Sequence, residues 1–175
     1  MIIVKTKYFG DLEINEESDF EYLDVKTNLT GEEKDVNIVL AGCDSDGKKT
    51  ANAIEIINQY KAIDIINQYP EWNALAKKAI IGAFPVDKTV CFYFKCHFDC
   101  LEKEVLEEIF GTSDFEAIDI NDVTEKLPLP NLLFDVEDGK LNLSVDYKVA
   151  AEYTDEILCV KVDESMNIIG FSQES

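Results

Sequence analysis

The hydrophobic period of this chain changes twice, and that change limits the fold more than any single motif. At the front Ile2-Ile3-Val4 leads to Tyr8-Phe9-Gly10, and Leu12 and Ile14 then alternate with acids. Tyr22, Val25, a turn at 28–31 and Val36 to Leu40 continue the strand-like reading. From Asp44 the spacing becomes helical, with Asp44, Ser45 or Asp46 as candidate caps for a helix running towards Tyr69. After Pro128 and Pro130 the period is two again. Leu141, Leu143, Val145 and Tyr147 alternate with Asn142, Ser144, Asp146 and Lys148, so one side of that strand is expected in the core and the other in water. Strands first, helices in the middle and strands last predict an α+β fold. The expected architecture is a mainly antiparallel sheet, built from the N- and C-terminal segments and packed against a central block of helices.

Two stretches inside the helical block carry most of the detail. The segment Ala53–Pro70 reads AIEIINQYK-AIDIINQYP, one nine-residue phrase written twice. Nine residues are two and a half helical turns, so one straight helix would carry apolar stripes on two opposite sides. Such a helix is either sandwiched between layers or kinked near Lys61, so that both stripes reach one core. In the next helix Trp72, Leu75, Ala76, Ala79, Ile80 and Ala83 form one buried stripe, Lys77 and Lys78 face out, and Pro70 suits its first position. Gly82 and Pro85 close it. Further on, Ser113 and Glu116 have capping-box spacing for a helix through Leu127, and Asp138-Gly139 marks a hairpin. A last hairpin is expected from Ile157 to Phe171. With no linker or low-complexity run, residues 1–175 are expected to be one domain.

Charge narrows the partners. The chain has 36 acidic residues against 16 basic ones and a formal charge of −20, and no basic residue is arginine. Nucleic-acid recognition needs a basic face and favours the forked guanidinium, so neither nucleic acid nor an anionic membrane is an expected partner. A basic protein would be steered towards this chain instead. Acids crowd residues 11–24 and 102–125; side by side these stretches would make one strong negative patch, and folded apart they are two independently solvated faces. The opening residues lack the apolar run of a signal peptide, and five cysteines without a secretory context read as free thiols, so a cytoplasmic location is expected.

Chemistry is less legible. Cys91, Cys96, His97 and Cys100 cluster in one segment, but their spacing is not that of a zinc site, and free cysteines are usually small core residues. No metal or other cofactor is expected. The glycines form neither a dinucleotide fingerprint nor a P-loop, and no catalytic residue can be assigned. The residue pattern from Val90 to Phe98 alternates like a strand, although Asp87 is a good helix cap and 101–110 is helical.

Val90 to Gly111 also resembles a helix–helix passage in a family of small acidic bacterial proteins of unknown function. The matching positions are Tyr93 and His97, one turn apart, and Phe110-Gly111 after an acid-rich helix. The opening 8–14, Val145-Asp146-Tyr147 and Thr154 to Val162 are similar to that family as well. The resemblance implies a helix at 88–100; the cysteines at 91, 96 and 100 and the duplicated nonapeptide depart from the pattern. It brings no established activity. Proteins of this size and acidity include immunity proteins against bacterial toxins. The expected function is a non-enzymatic cytosolic interaction domain, of immunity type, that neutralises a basic partner protein through an acidic surface. The alternative is a small enzyme or ligand-binding domain with a pocket around Tyr93, His97, Asp146 and Asp155.

Overall fold

A computed structural model describes residues 1–43 and 46–175. Among the described residues, eight strands and six α-helices follow in the order expected, strands at both ends and helices between them. Strands β1 (Ile2–Lys5) and β2 (Asp11–Ile14) form a separate antiparallel hairpin. The main sheet has six strands in sequence order: β3 (Phe20–Thr27), β4 (Lys34–Ala41), β5 (Asn131–Glu137), β6 (Lys140–Tyr147), β7 (Ile157–Val162) and β8 (Ile168–Glu174). Every pairing in it is antiparallel except β4 with β5, which is parallel and joins segments separated by the whole helical block. A parallel neighbour needs a crossover connection, and here all six helices serve as that one crossover. The Asp138-Gly139 turn between β5 and β6 has positive φ at both residues (51° and 74°), the geometry of a tight two-residue hairpin.

The helical block corrects the sequence reading in detail. No helix runs from 46 to Tyr69: α1 spans Ala53–Asn58 and α2 spans Ala62–Ile66. Asn52 caps α1, accepting from the Glu55 backbone N–H at 2.9 Å, while the Glu55 carboxylate accepts from the Asn52 N–H at 2.8 Å. This reciprocal box places the start six residues beyond Asp46; Asp44 and Ser45, the other candidate caps, lie outside the described residues. Lys61 ends the first copy of the repeat in the left-handed conformation, with φ 56°. That single residue resolves the conflict between the two stripes. After it, Ala53 and Ala62 are both buried, as are Ile57 and Ile66, while Glu55 and Asp64 both face water. The duplicated phrase is therefore core, kinked into phase.

Helix α3 (Tyr69–Ala83) buries Tyr69, Trp72, Ala76 and Ile80, with Pro70 in its first turn. Lys78 faces solvent, but Lys77 is half-buried. Its ammonium donates to the carbonyls of Glu125 and Leu127, both at 3.3 Å, and so closes the end of α6 (Ile120–Lys126). The Ser113 box does not form. Asp114 caps a short 3-10 turn at Phe115–Ala117, and Asp119 caps α6. Helix α5 (Lys103–Phe110) ends at Gly111, whose φ of 72° suits a residue without a Cβ.

The alternation along the strands sorts the sheet into two faces. Val36, Ile38, Leu40, Leu132, Phe134, Val136, Leu143, Val145, Leu158 and Val160 are buried beneath the helices, of which α1 packs on β4 and β5 and α3 on β6 and β7. The other side of each strand is largely exposed or half-buried. At the end of β4, Gly42 is wedged among backbone groups: a Cβ there would lie 2.1 Å from the Ala51 carbonyl oxygen. Its own carbonyl accepts from Thr50 and Ala51, and its N–H donates to Asp19.

Candidate functional site

Helix α4 (Lys88–Cys100) carries the segment whose residue pattern alternated like a strand. Asp87 caps it, accepting from the N–H groups of Thr89 (2.9 Å) and Val90 (3.0 Å). Its buried residues are Val90, Tyr93, Phe94 and His97, a helical stripe, whereas Phe92 is 61 % exposed.

Tyr93 and His97 are fully buried, and both are held by short-range polar contacts. The Tyr93 hydroxyl accepts from the Val149 N–H at 3.0 Å and donates to the Tyr147 carbonyl at 3.4 Å, tying α4 to the end of β6 (Lys140–Tyr147). Burial pushes its pKa upward, so it stays a neutral phenol. His97 Nδ1 lies 2.8 Å from the Tyr93 carbonyl, an acceptor, so that nitrogen carries the hydrogen. Its Nε2, 3.3 Å from the Thr154 hydroxyl, then accepts. Burial lowers the imidazole pKa, and the neutral ring fits this pair of partners. Both nitrogens are used within the fold.

Asp146 does not join them, and Asp155 meets His97 only across the margin of a small cleft. Asp146 follows Val145 and precedes Tyr147, both of which face the helices, so its carboxylate points from the far face of the sheet. There it accepts from the Ser144 hydroxyl and meets the Cys159 thiol. Burial raises its pKa, partly offset by the hydrogen bond from Ser144. The same burial, with the neighbouring carboxylate, takes the Cys159 thiol to about 12. Asp155 has a side chain 95 % exposed, and its nearest cation is Lys148 at 3.9 Å. The four residues are thus distributed over a core, a far face and a loop. The signal for this was in the alternation itself, which already put Asp146 and Tyr147 on opposite sides.

A cleft of about 100 Å³ does border His97, lined also by Cys96, Cys100, Thr154, Asp155 and Glu156. That is room for roughly three water molecules and well below an ordinary small-molecule site. The larger groove, about 780 Å³, runs between α4 and β8 past Lys88, Phe92, Glu156 and Phe171, and includes neither Tyr93 nor His97. The thiols are spread: Cys91 donates to the Phe84 carbonyl, Cys96 to that of Tyr93 at 2.9 Å, and Cys100 is exposed. Among the described residues, no three His, Cys, Asp or Glu side chains are grouped to hold a metal ion, and no helix is long and apolar enough to cross a membrane.

What the far face of the sheet offers is a surface. Strand register sets its residues in rows: Tyr22 beside Val39, Val39 beside Leu133, Leu133 beside Ser144. The row above pairs Phe20, Ala41, Asp135 and Asn142, with the Asn142 amide donating to Asp135 at 2.8 Å. The row below begins with Asp24 and Asn37, whose backbone N–H donates to the Asn131 side chain at 2.8 Å, and continues through Asn131 and Asp146. Sequence reasoning missed this surface because Phe20, Val39 and Leu133 come from three strands that only the parallel β4–β5 pairing brings together.

The two acid-rich stretches are distributed differently from the single patch considered in the sequence reading. Residues 11–24 belong to β2 and the sheet's β3 edge, whereas 102–125 belong to α5 and α6, which pack on each other in the helical layer. No family model, no curated protein and no solved structure matches the chain.

Proposed function

We propose that the protein is a non-enzymatic binding protein that captures and neutralises a basic protein partner, in the manner of an immunity protein. The carrying observation is how the charge of −20 is displayed. Glu104, Glu107, Asp119 and Glu125 lie exposed on and around α5 and α6, and Asp11, Glu13, Glu16, Glu17 and Asp24 lie exposed on or beside β2 and β3. Beside these acids, Lys103 meets Glu107 at 3.6 Å, Lys126 pairs with Asp122 at 2.5 Å, and the Lys77 ammonium reaches the carbonyls of Glu125 and Leu127. Exposed pairs of this kind contribute little stability, and an unbalanced field of one sign accelerates encounter with the opposite sign. A role as interaction protein uses that field directly. A pocket enzyme would need Tyr93, His97, Asp146 and Asp155 in one place, and Asp146 lies on the opposite face of the sheet. The family likeness of Tyr93, His97 and the C-terminal strands is compatible with the binding role.

Immobilised protein, exposed to a lysate of the organism that makes it, tests this. At low salt it should retain a protein of high isoelectric point, released as ionic strength shortens the screening length. Retention of only acidic or neutral proteins, or retention indifferent to salt, would sink the reading.

A further inference from the structure

We propose that the β3–β4–β5 half of the open sheet face is the docking surface, and that its occupant is a segment of the basic partner in which aliphatic side chains are interspersed with Lys or Arg. This inference rests on the binding function proposed above and gives it a place and a chemistry. Three observations carry it.

The first is an apolar patch where water is expected. Phe20 is 57 % and Tyr22 54 % exposed, and both stand on the side of β3 that faces away from the helices. Val39 lies directly beside Tyr22 in the same register row, Leu133 lies beside Val39, and Ala41 lies beside Phe20. Cross-strand neighbours are about 5 Å apart, so these five side chains form one continuous surface instead of scattered exposures.

The second is where the acids stand. Asp24 closes the patch on the β3 side, next along the strand face from Tyr22. Asp135 closes it at the end of the row that begins with Phe20. Asp146 lies diagonally beyond Leu133, next to Asn131. An apolar centre with carboxylates at its margin is the arrangement of an interface whose core is dry and whose rim is ionic. The complementary surface is apolar with cationic margins. A second copy of this chain is the wrong occupant, since each carries −20 and the like carboxylates would meet at the rim.

The third is a contrast with α5 and α6, the other acid-rich region. There the apolar side chains point inward: Leu106 and Phe110 are buried and pack with the core. That surface can steer a cation, and its apolar contact is confined to a small groove of about 300 Å³ past Ile109, Pro128, Val149 and Tyr153. Steering and docking are thereby assigned to different parts of the molecule: long-range attraction to the whole acidic body, and short-range fit to the open face.

The test uses the full chain, labelled with ¹⁵N, and three synthetic peptides of equal length: alternating Leu and Lys, alternating Leu and Glu, and Lys with Gly. At near-physiological salt the Leu/Lys peptide should bind and shift the amides of Phe20, Tyr22, Val39 and Leu133. The Tyr22→Ser variant should weaken that binding at least ~10-fold, and Asp24→Asn with Asp135→Asn should weaken it without any change to the apolar centre. Urea unfolding of each variant checks that the fold is retained. The Lys/Gly peptide should bind only at low salt and spread its shifts over the acidic surfaces. If the Leu/Lys shifts centre on α5 and α6, or if Tyr22→Ser and the Asp pair leave affinity unchanged, this docking face is overturned while the basic-partner function stands. Equal binding of the Leu/Glu peptide overturns the charge argument for the face. If neither cationic peptide binds even at low salt, the proposed function itself falls.

Discussion

The two faces of the six-stranded sheet are made by the same strands and differ by one residue of phase. On the helix side, Leu132, Phe134, Val145 and Tyr147 are buried without exposed neighbours of their own row. On the far side, Leu133, Asp135 and Asp146 are half-buried, and Phe20 and Tyr22 are largely open. Adjacent residues therefore live under different physical rules. The covered face obeys close packing, where volume is felt to one methylene. The open face obeys solvation on its β3 side, where the Asp24 carboxylate stands in water, and less so at Asp146, whose pKa burial raises. Stability is concentrated in the covered face, and the docking proposed above uses the other.

The sharpest way to break that comparison is to exchange chemistry across it. Val145→Asp would bury a carboxylate beneath the helices and should unfold the chain or cost more than about 4 kcal/mol. Asp146→Val, one residue later, takes the acceptor from the buried Ser144 hydroxyl and should cost only about 1–3 kcal/mol. Equilibrium urea unfolding reads both, and similar losses for the two would erase the distinction. Truncation is the next test in size. Phe134→Ala on the covered side should cost about 3–5 kcal/mol, with cavity formation included. Leu133→Ala beside it should cost under about 1 kcal/mol, and a large loss there would mean the far face is structural after all.

A smaller effect concerns the tie between helix and sheet. Tyr93→Phe removes the hydroxyl that accepts from Val149 and donates to Tyr147, leaving a half-buried N–H without its partner. A loss of about 1–3 kcal/mol is expected by the same measurement. The smallest effects are slopes in pH, and they run in opposite directions. His97, on the covered side, has its pKa lowered from 6.5 by burial. The unfolded chain takes up a proton that the folded state resists, so stability falls as pH drops through the unfolded value near 6.5. Asp146, on the open side, has its pKa raised from 3.8. Its folded state holds a proton that the unfolded chain releases, so stability declines as pH rises from 3.8 towards the folded value. His97→Gln and Asp146→Asn should each flatten only its own limb of the stability–pH curve.

Much of this could be read from residues alone, because alternation and helical spacing report directly on burial. The covered rows of β5 and β6, the Asp-Gly hairpin and the α3 stripe all follow from local pattern. Helix caps were harder where several candidates stand close together: Ser113, Asp114 and Asp119 all suit the role, and the structure uses the latter two. The duplicated nonapeptide posed the right question, since a kink at Lys61 was one of its two answers, but lysine carries no signal for a left-handed backbone. The segment 90–98 was ambiguous because Val90, Phe92 and Phe94 alternate and yet Tyr93 and His97 complete a helical stripe. The site was least legible. Asp146 could have been separated from Tyr93 and His97 by parity, whereas the patch at Tyr22, Val39 and Leu133 depends on a pairing between residues about a hundred positions apart, which no local window contains.

That same pairing has a kinetic meaning. Strands β3 and β4 form a local hairpin early in the chain, and β5 to β8 form a local meander at its end. Only the Ile38–Leu132 to Ala41–Asp135 seam joins them. Closing so long a loop is entropically slow relative to forming hairpins. During synthesis the inner edge of β4 must therefore wait, unpaired, until the whole helical block has emerged. Pulse-labelling hydrogen exchange should find the amides of the β5–β8 meander protected before those of β4 that face β5. Until that seam closes, β4 is a bare sheet edge, and a charge of −20 opposes the approach of two such chains.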